Sequence, residues 1–104
     1  MTTADILNLA AKVLETMSWS QGATARDGNG RHCDAYDRYC VAVDVWGAVE
    51  RATTPAMHKE RALAENVLLA TFPQKGLDVA TINDKRIRDK DTAVTWLRAA
   101  AVNA

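Results

Sequence analysis

Four residues of metal-ligand type, His32, Cys33, Cys40 and His58, are where chemistry could begin in this chain. Structural zinc sites bring their ligands in close pairs, two to four residues apart, so that each pair wraps one tetrahedral ion. Cys33 and Cys40 have six residues between them and neither has a close second thiol, so the spacing speaks against zinc. The stretch "DGNGRHCDAYD" has the outline of a calcium loop, but Arg31 and His32 stand at its fifth and sixth positions. An EF-hand needs an oxygen ligand and a glycine there. "HKERA" lacks the second histidine of a zinc-protease helix, and no nucleophile elbow, phosphate loop or dinucleotide fingerprint is present. No catalytic residue, metal ligand or cofactor is assigned. A polar set remains: Gln21, His32, Asn83 and Asp84, with Arg26, could line a small-ligand or enzymatic pocket if they converge on one concavity.

The elements that must position these residues are mostly helical by pattern. Ile6, Leu9, Ala10, Val13, Leu14 and Met17 recur at three- and four-residue spacing, which predicts an amphipathic helix over residues 3–18 with Thr3 as its cap. "RDGNGR" reads as a turn between short strands at 24–26 and 31–33, a hairpin that must lean on the helices. Residues 35–52 read as a second helix, apolar nearly all round, with Asp37, Asp44 and Arg51 on one solvated stripe. "TTPAM" predicts a third helix capped by Thr54 with Pro55 first, burying Met57, Leu63, Ala64, Val67 and Leu68 and stopping at Phe72-Pro73. Residues 74–88 read as a connection in which Asn83 and Asp84 bond nearby backbone, and a fourth helix starts at Asp89 or Asp91. The fold class is therefore mainly α: a compact four-helix domain over 1–104 with a short β-hairpin-like insertion between helices 1 and 2.

Charge narrows the function classes. Thirteen basic and thirteen acidic side chains give zero net charge, and the halves 1–52 and 53–104 differ only as −2 and +2. A phosphate-binding face needs a basic excess. In "DKRIRDKD" the four bases are interleaved with three acids, so nucleic acid is an unfavoured partner. The N-terminal segment has no basic run and no apolar stretch long enough for a membrane, which points to the cytoplasm and to reduced cysteines.

Several separated elements together resemble a known family. "WSQGATARDGNGR" is similar to a W-x-Q-G-x-x-A-R-D-x-x-G-R pattern, "WGAVERA" supplies a G-A pair, "TINDKRIRD" an N-D pair and "WLRAAA" an L-R-x-A ending. This set resembles domain of unknown function 6197, found among actinobacteria and their phages. The chain departs from it in having Ile82 where tryptophan often precedes N-D, and in lacking a proline-rich run after the hairpin. The resemblance implies a fold and a phage-associated neighbourhood, not a reaction.

By elimination, the expected function is a non-enzymatic, cytoplasmic accessory protein acting through protein–protein contacts on a host partner, with Arg26, Asn29, Arg31 and Trp46 as contact residues. A pocket at Gln21, Arg26, His32 and Asp84, or a DNA-associated regulator using residues 85–90, are the alternatives. A homodimer through the valine-rich side of helix 2 is also expected.

Overall fold

The computed structural model describes residues 1–72 and 76–104. Helix α1 (Thr3–Thr16) opens with a reciprocal cap: Thr2 Oγ1 accepts from the Asp5 amide and Asp5 accepts from the Thr2 amide, both at 3.0 Å. The cap is thus one residue earlier than the spacing suggested, because Asp5 can reach back only to residue 2. Ile6, Leu7, Ala10, Ala11 and Leu14 of α1 are fully buried. They pack chiefly on α5 (Lys90–Asn103) and on α2 (Val45–Arg51). Leu9, expected inside, is 39% exposed at the edge of that face.

The largest departure from the four-helix expectation lies between residues 35 and 52. Only 45–51 is helix; Cys40–Val43 is a strand, β3, central in a three-stranded sheet. It pairs in parallel with β1 (Ser18–Trp19) and antiparallel with β2 (Ala25–Asp27), with a bulge where the register shifts between Arg26 and Asp27. The apolar run fitted a helix and a buried strand equally by periodicity, and its valines favour the strand once two partners flank it. Val43, Val45 and Val49 are fully buried. Of the valines on the expected dimer face, these three lie in the protein's own core, while Val41 is exposed. The expected hairpin exists in reduced form, with Arg26 bridged to His32 and Gly30 at φ +77°.

Five helices are present among the described residues. The third, α3 (His58–Thr71), begins four residues after Thr54 and lacks a side-chain cap. Residues 54–57 form a turn instead, and Arg61 donates to the carbonyls of Thr54 and Pro55. Leu63 is 55% exposed, and only Ala64 and Leu68 of α3 are buried. The helix ends at Thr71 with Phe72 as its C-cap, where the stop was expected, and Pro73 itself lies outside the described residues. The connection read over 74–88 contains a short helix, α4 (Val79–Lys85), capped by Asp78. The last helix, α5, starts from Asp89 as its cap. Its Trp96 donates to the Leu68 carbonyl at 3.0 Å and packs against Phe72, which fixes α5 on α3.

Candidate functional site

The residues that carry the family pattern meet at one junction, between the β1–β2 loop and α4. Asn83, fully buried in α4, is its centre. Its Oδ1 accepts from Trp19 Nε1 at 2.8 Å and from the Val45 amide at 3.2 Å. Its Nδ2 donates to the Ser20 carbonyl at 3.0 Å and to Asp84 Oδ1 at 3.1 Å. Two lone pairs and two N–H groups are the whole capacity of a carboxamide. All are used.

The neighbouring motif positions have equally defined tasks. Gln21 Nε2 donates to the Ile87 carbonyl at 2.9 Å, and reaches the Asn83 and Asp84 carbonyls at 3.5 and 3.4 Å. Those last two belong to the C-terminal turn of α4, where backbone acceptors have no partner within the helix. The Gly22 amide donates to Asp84 Oδ1 at 2.9 Å, with Gly22 at φ +79°. Arg26 spans the loop, donating to the Gln21 carbonyl at 3.2 Å and the Gly30 carbonyl at 2.9 Å. The spacing predicts local backbone partners for Asn83 and Asp84; instead they bond Trp19, Ser20 and Gly22, more than sixty residues away, and Asn83 also bonds Val45.

Asp44 extends the junction on the α2 side. Expected on a solvated stripe, it is 1% exposed and caps α2, accepting from the Gly47 amide at 2.6 Å. Burial pushes its carboxyl up to about 7, against the opposing pull of the Gly47 amide, and the carboxylates of Asp84 and Glu50 add to the rise. Gly47 packs so closely that a Cβ there would stand 2.3 Å from the Thr24 carbonyl oxygen. The "G-A" element is thus a close approach of helix to loop. Among the described residues no buried side-chain polar atom lacks a partner.

Gln21, Asn83, Asp84 and Arg26 are therefore brought together, but onto each other. His32 is exposed, across the hairpin from Arg26. Asn29 and Arg31 are exposed at the tip, where Asp27 Oδ1 accepts from both backbone amides. Trp46 is half-buried beyond the other end of β3, beside a depression of about 100 Å³ lined by Glu65, Asp78, Val79 and Ala80. A shallower depression of about 560 Å³ lies between Glu15 and Lys90, Asp91, Val94 and Thr95. Neither depression touches the polar set. His58 is exposed and its Nδ1 lies 3.2 Å from Arg61. Cys40 is buried and Cys33 half-buried. Burial pushes the Cys33 thiol up to about 11, with the adjacent Cys40 thiol, Asp37 and Asp27 acting in the same direction. Among the described residues no three ligand-type side chains cluster for a metal, and no helix is long and apolar enough to cross a membrane.

Fold and junction define a mainly helical protein folded around a small mixed sheet and locked by buried side-chain hydrogen bonds. The chain belongs to the family of unknown function DUF6197, whose profile matches residues 1–103. No curated protein and no solved structure matches it. The sequence reading found the motif pieces separately. It missed Ser20, Asp44 and Gly47 as parts of the junction, and the only signal for Gly47 was its place in the G-A element.

Proposed function

We propose that this is a small, non-enzymatic accessory protein of the bacterial cytoplasm that works through protein–protein contact, in a phage-associated setting in which the partner belongs to the host. The observation that carries this reading is the consumption of the family's polar residues by one another. Asn83 has no donor or acceptor left for a substrate, and Gln21 is occupied on α4. The motif therefore supports a scaffold and leaves recognition to the surface it holds up. The surface in question is the end of the sheet, with Asn29 and Arg31 at the tip and Tyr39 and Val41 exposed on the segment running into and along β3. Aromatic and arginine side chains of this kind anchor interfaces.

The test is recovery of a partner from host lysate by the wild-type chain and by an Arg31→Glu, Tyr39→Ala variant. Both sites are exposed, so the variant keeps its fold. Loss of the partner supports the reading, and equal recovery clears this surface of a binding role. Light scattering across a wide concentration range shows in parallel whether the partner is a second copy.

A further inference from the structure

We propose that Asn29 is a site of self-modification, deamidating through the Gly30 amide, and that Asp27 holds the reaction back while the hairpin is closed. The chemistry does not depend on the tip binding anything. Ring closure needs the Gly30 nitrogen to approach Asn29 Cγ, and glycine, having no Cβ, obstructs that approach least. Of the five asparagines only Asn29 is followed by glycine. Asn8, Asn66, Asn83 and Asn103 lie in α1, α3, α4 and α5, where the helical backbone is fixed by its own hydrogen bonds. Asn29 is exposed and outside every helix and strand. A Cβ at Gly30 would meet nothing within 4 Å, so the side chain and water have room.

Three successive amides are turned onto Asp27. The Asn29 and Arg31 amides donate to its Oδ1 at 2.9 and 3.0 Å, and the Gly30 amide donates to its carbonyl at 3.0 Å. Aspartate first and glycine fourth are residues that such a turn favours. Arg26 pins the far side, donating to the Gly30 carbonyl at 2.9 Å. The nucleophile is thereby held away from the carboxamide, because the Gly30 nitrogen must lose the proton that it shares with the Asp27 carbonyl before it can attack. In the open turn this nitrogen forms a bond to Asn29 Cγ, the Cγ–Nδ2 bond breaks, and ammonia leaves with the proton. Water then opens the five-membered imide at either carbonyl, giving aspartate or its β-linked isomer. No oxidant or other co-reactant is consumed. Each event sets a new carboxylate beside Arg31, and the β-linked product lengthens the backbone inside the turn. Opening of a turn is fast relative to so slow a step, so the rate follows the population of the open form.

The experiment incubates the full chain in warm, mildly alkaline buffer and follows the peptide containing Asn29 by mass spectrometry. The readout is a gain of one mass unit together with the chromatographically separated β-linked product. Folded wild type is expected to react slowly, and at Asn29 before any other asparagine. Asp27→Ala, its fold checked by circular dichroism, loses both side-chain bonds. It should react about tenfold faster, the factor that two weak, solvent-exposed hydrogen bonds supply. Wild type unfolded in urea gives the unguarded rate and keeps the comparison usable should Asp27→Ala fail to fold. Asn29→Gln should remove the signal. Equal rates for folded and urea-unfolded wild type, equal rates for wild type and folded Asp27→Ala, or first modification at another asparagine would overturn the proposal.

Discussion

The junction around Asn83 and the tip of the hairpin are both polar, both contain glycine, and both contain residues of the family pattern, yet they are built on opposite terms. At the junction the central side chain is fully used: Asn83 is fully buried with four hydrogen bonds, and Gly47 packs against backbone. At the tip, Asp27 satisfies the turn amides while Asn29 and Arg31 stay exposed, and a Cβ at Gly30 would meet nothing within 4 Å. The contrast separates what a motif residue holds in place from what it offers to the outside. Polar residues at the first region fix geometry, while those at the second are available for contact.

That contrast can be broken from its strong side first. Asn83→Ala leaves Trp19 Nε1, the Val45 amide and the Ser20 carbonyl without their partner, at about 1–3 kcal/mol for each buried orphan. A loss of about 3–5 kcal/mol is expected, and denaturant unfolding measures it. An outcome below ~1 kcal/mol would mean the junction is not what holds the loop. Gly47→Ala forces a Cβ against the Thr24 carbonyl, and a cost of about 3 kcal/mol is expected from such overpacking, read as a lowered midpoint in the same assay.

The next effect depends on pH. Asp44 holds its proton to about pH 7 when folded, against 3.8 as its ordinary value. A folded pKa raised in an acid makes its contribution most favourable below the ordinary value, with the benefit lost as pH climbs towards 7. Asp5, Asp78 and Asp89 are lowered by their cap hydrogen bonds and act oppositely, losing their contribution as the solution turns acid. Asp44→Asn keeps a capping oxygen and removes the titration. Its stability relative to wild type should therefore improve from pH 4 to 7, with a slope of at most about 1.4 kcal/mol per pH unit. Parallel pH curves for the two proteins would show that Asp44 is ionised throughout. At the tip the effects shrink. Gly30→Ala meets only its positive φ and should cost about 1 kcal/mol. Arg31→Glu should stay within about 0.5 kcal/mol in thermal unfolding, so a larger drop would erase the distinction between the regions.

The amphipathic helices α1 and α5 were legible in the sequence because each writes its buried face in a three-four rhythm over several turns. The strand β3 was not, since a short apolar run carries no period that distinguishes it from a buried helix. Short α4 was lost for a related reason: seven residues hold too few turns for a pattern. Tryptophan, glutamine, glycine, asparagine and aspartate of the junction were visible as motif pieces. Their association was not, because nothing in local spacing announces a bond between residues 19 and 83. Asp44 misled in its turn, since an acid in an apolar segment reads as solvated until a helix start is known to sit directly behind it.

The bond from Trp19 to Asn83 crosses sixty-four positions of chain, and α1 packs most extensively on α5, the final helix. An earlier element is therefore completed by a much later one. During synthesis α1 emerges with Ile6, Leu7 and Leu14 facing water, and β1 has neither its strand partner nor the carboxamide that satisfies its tryptophan. Folding of α1 and β1 must wait until α4 and α5 are made, since contacts of long sequence separation form only after the loop between them is closed. In the interval the apolar face of α1 is open to chaperones and to other nascent copies.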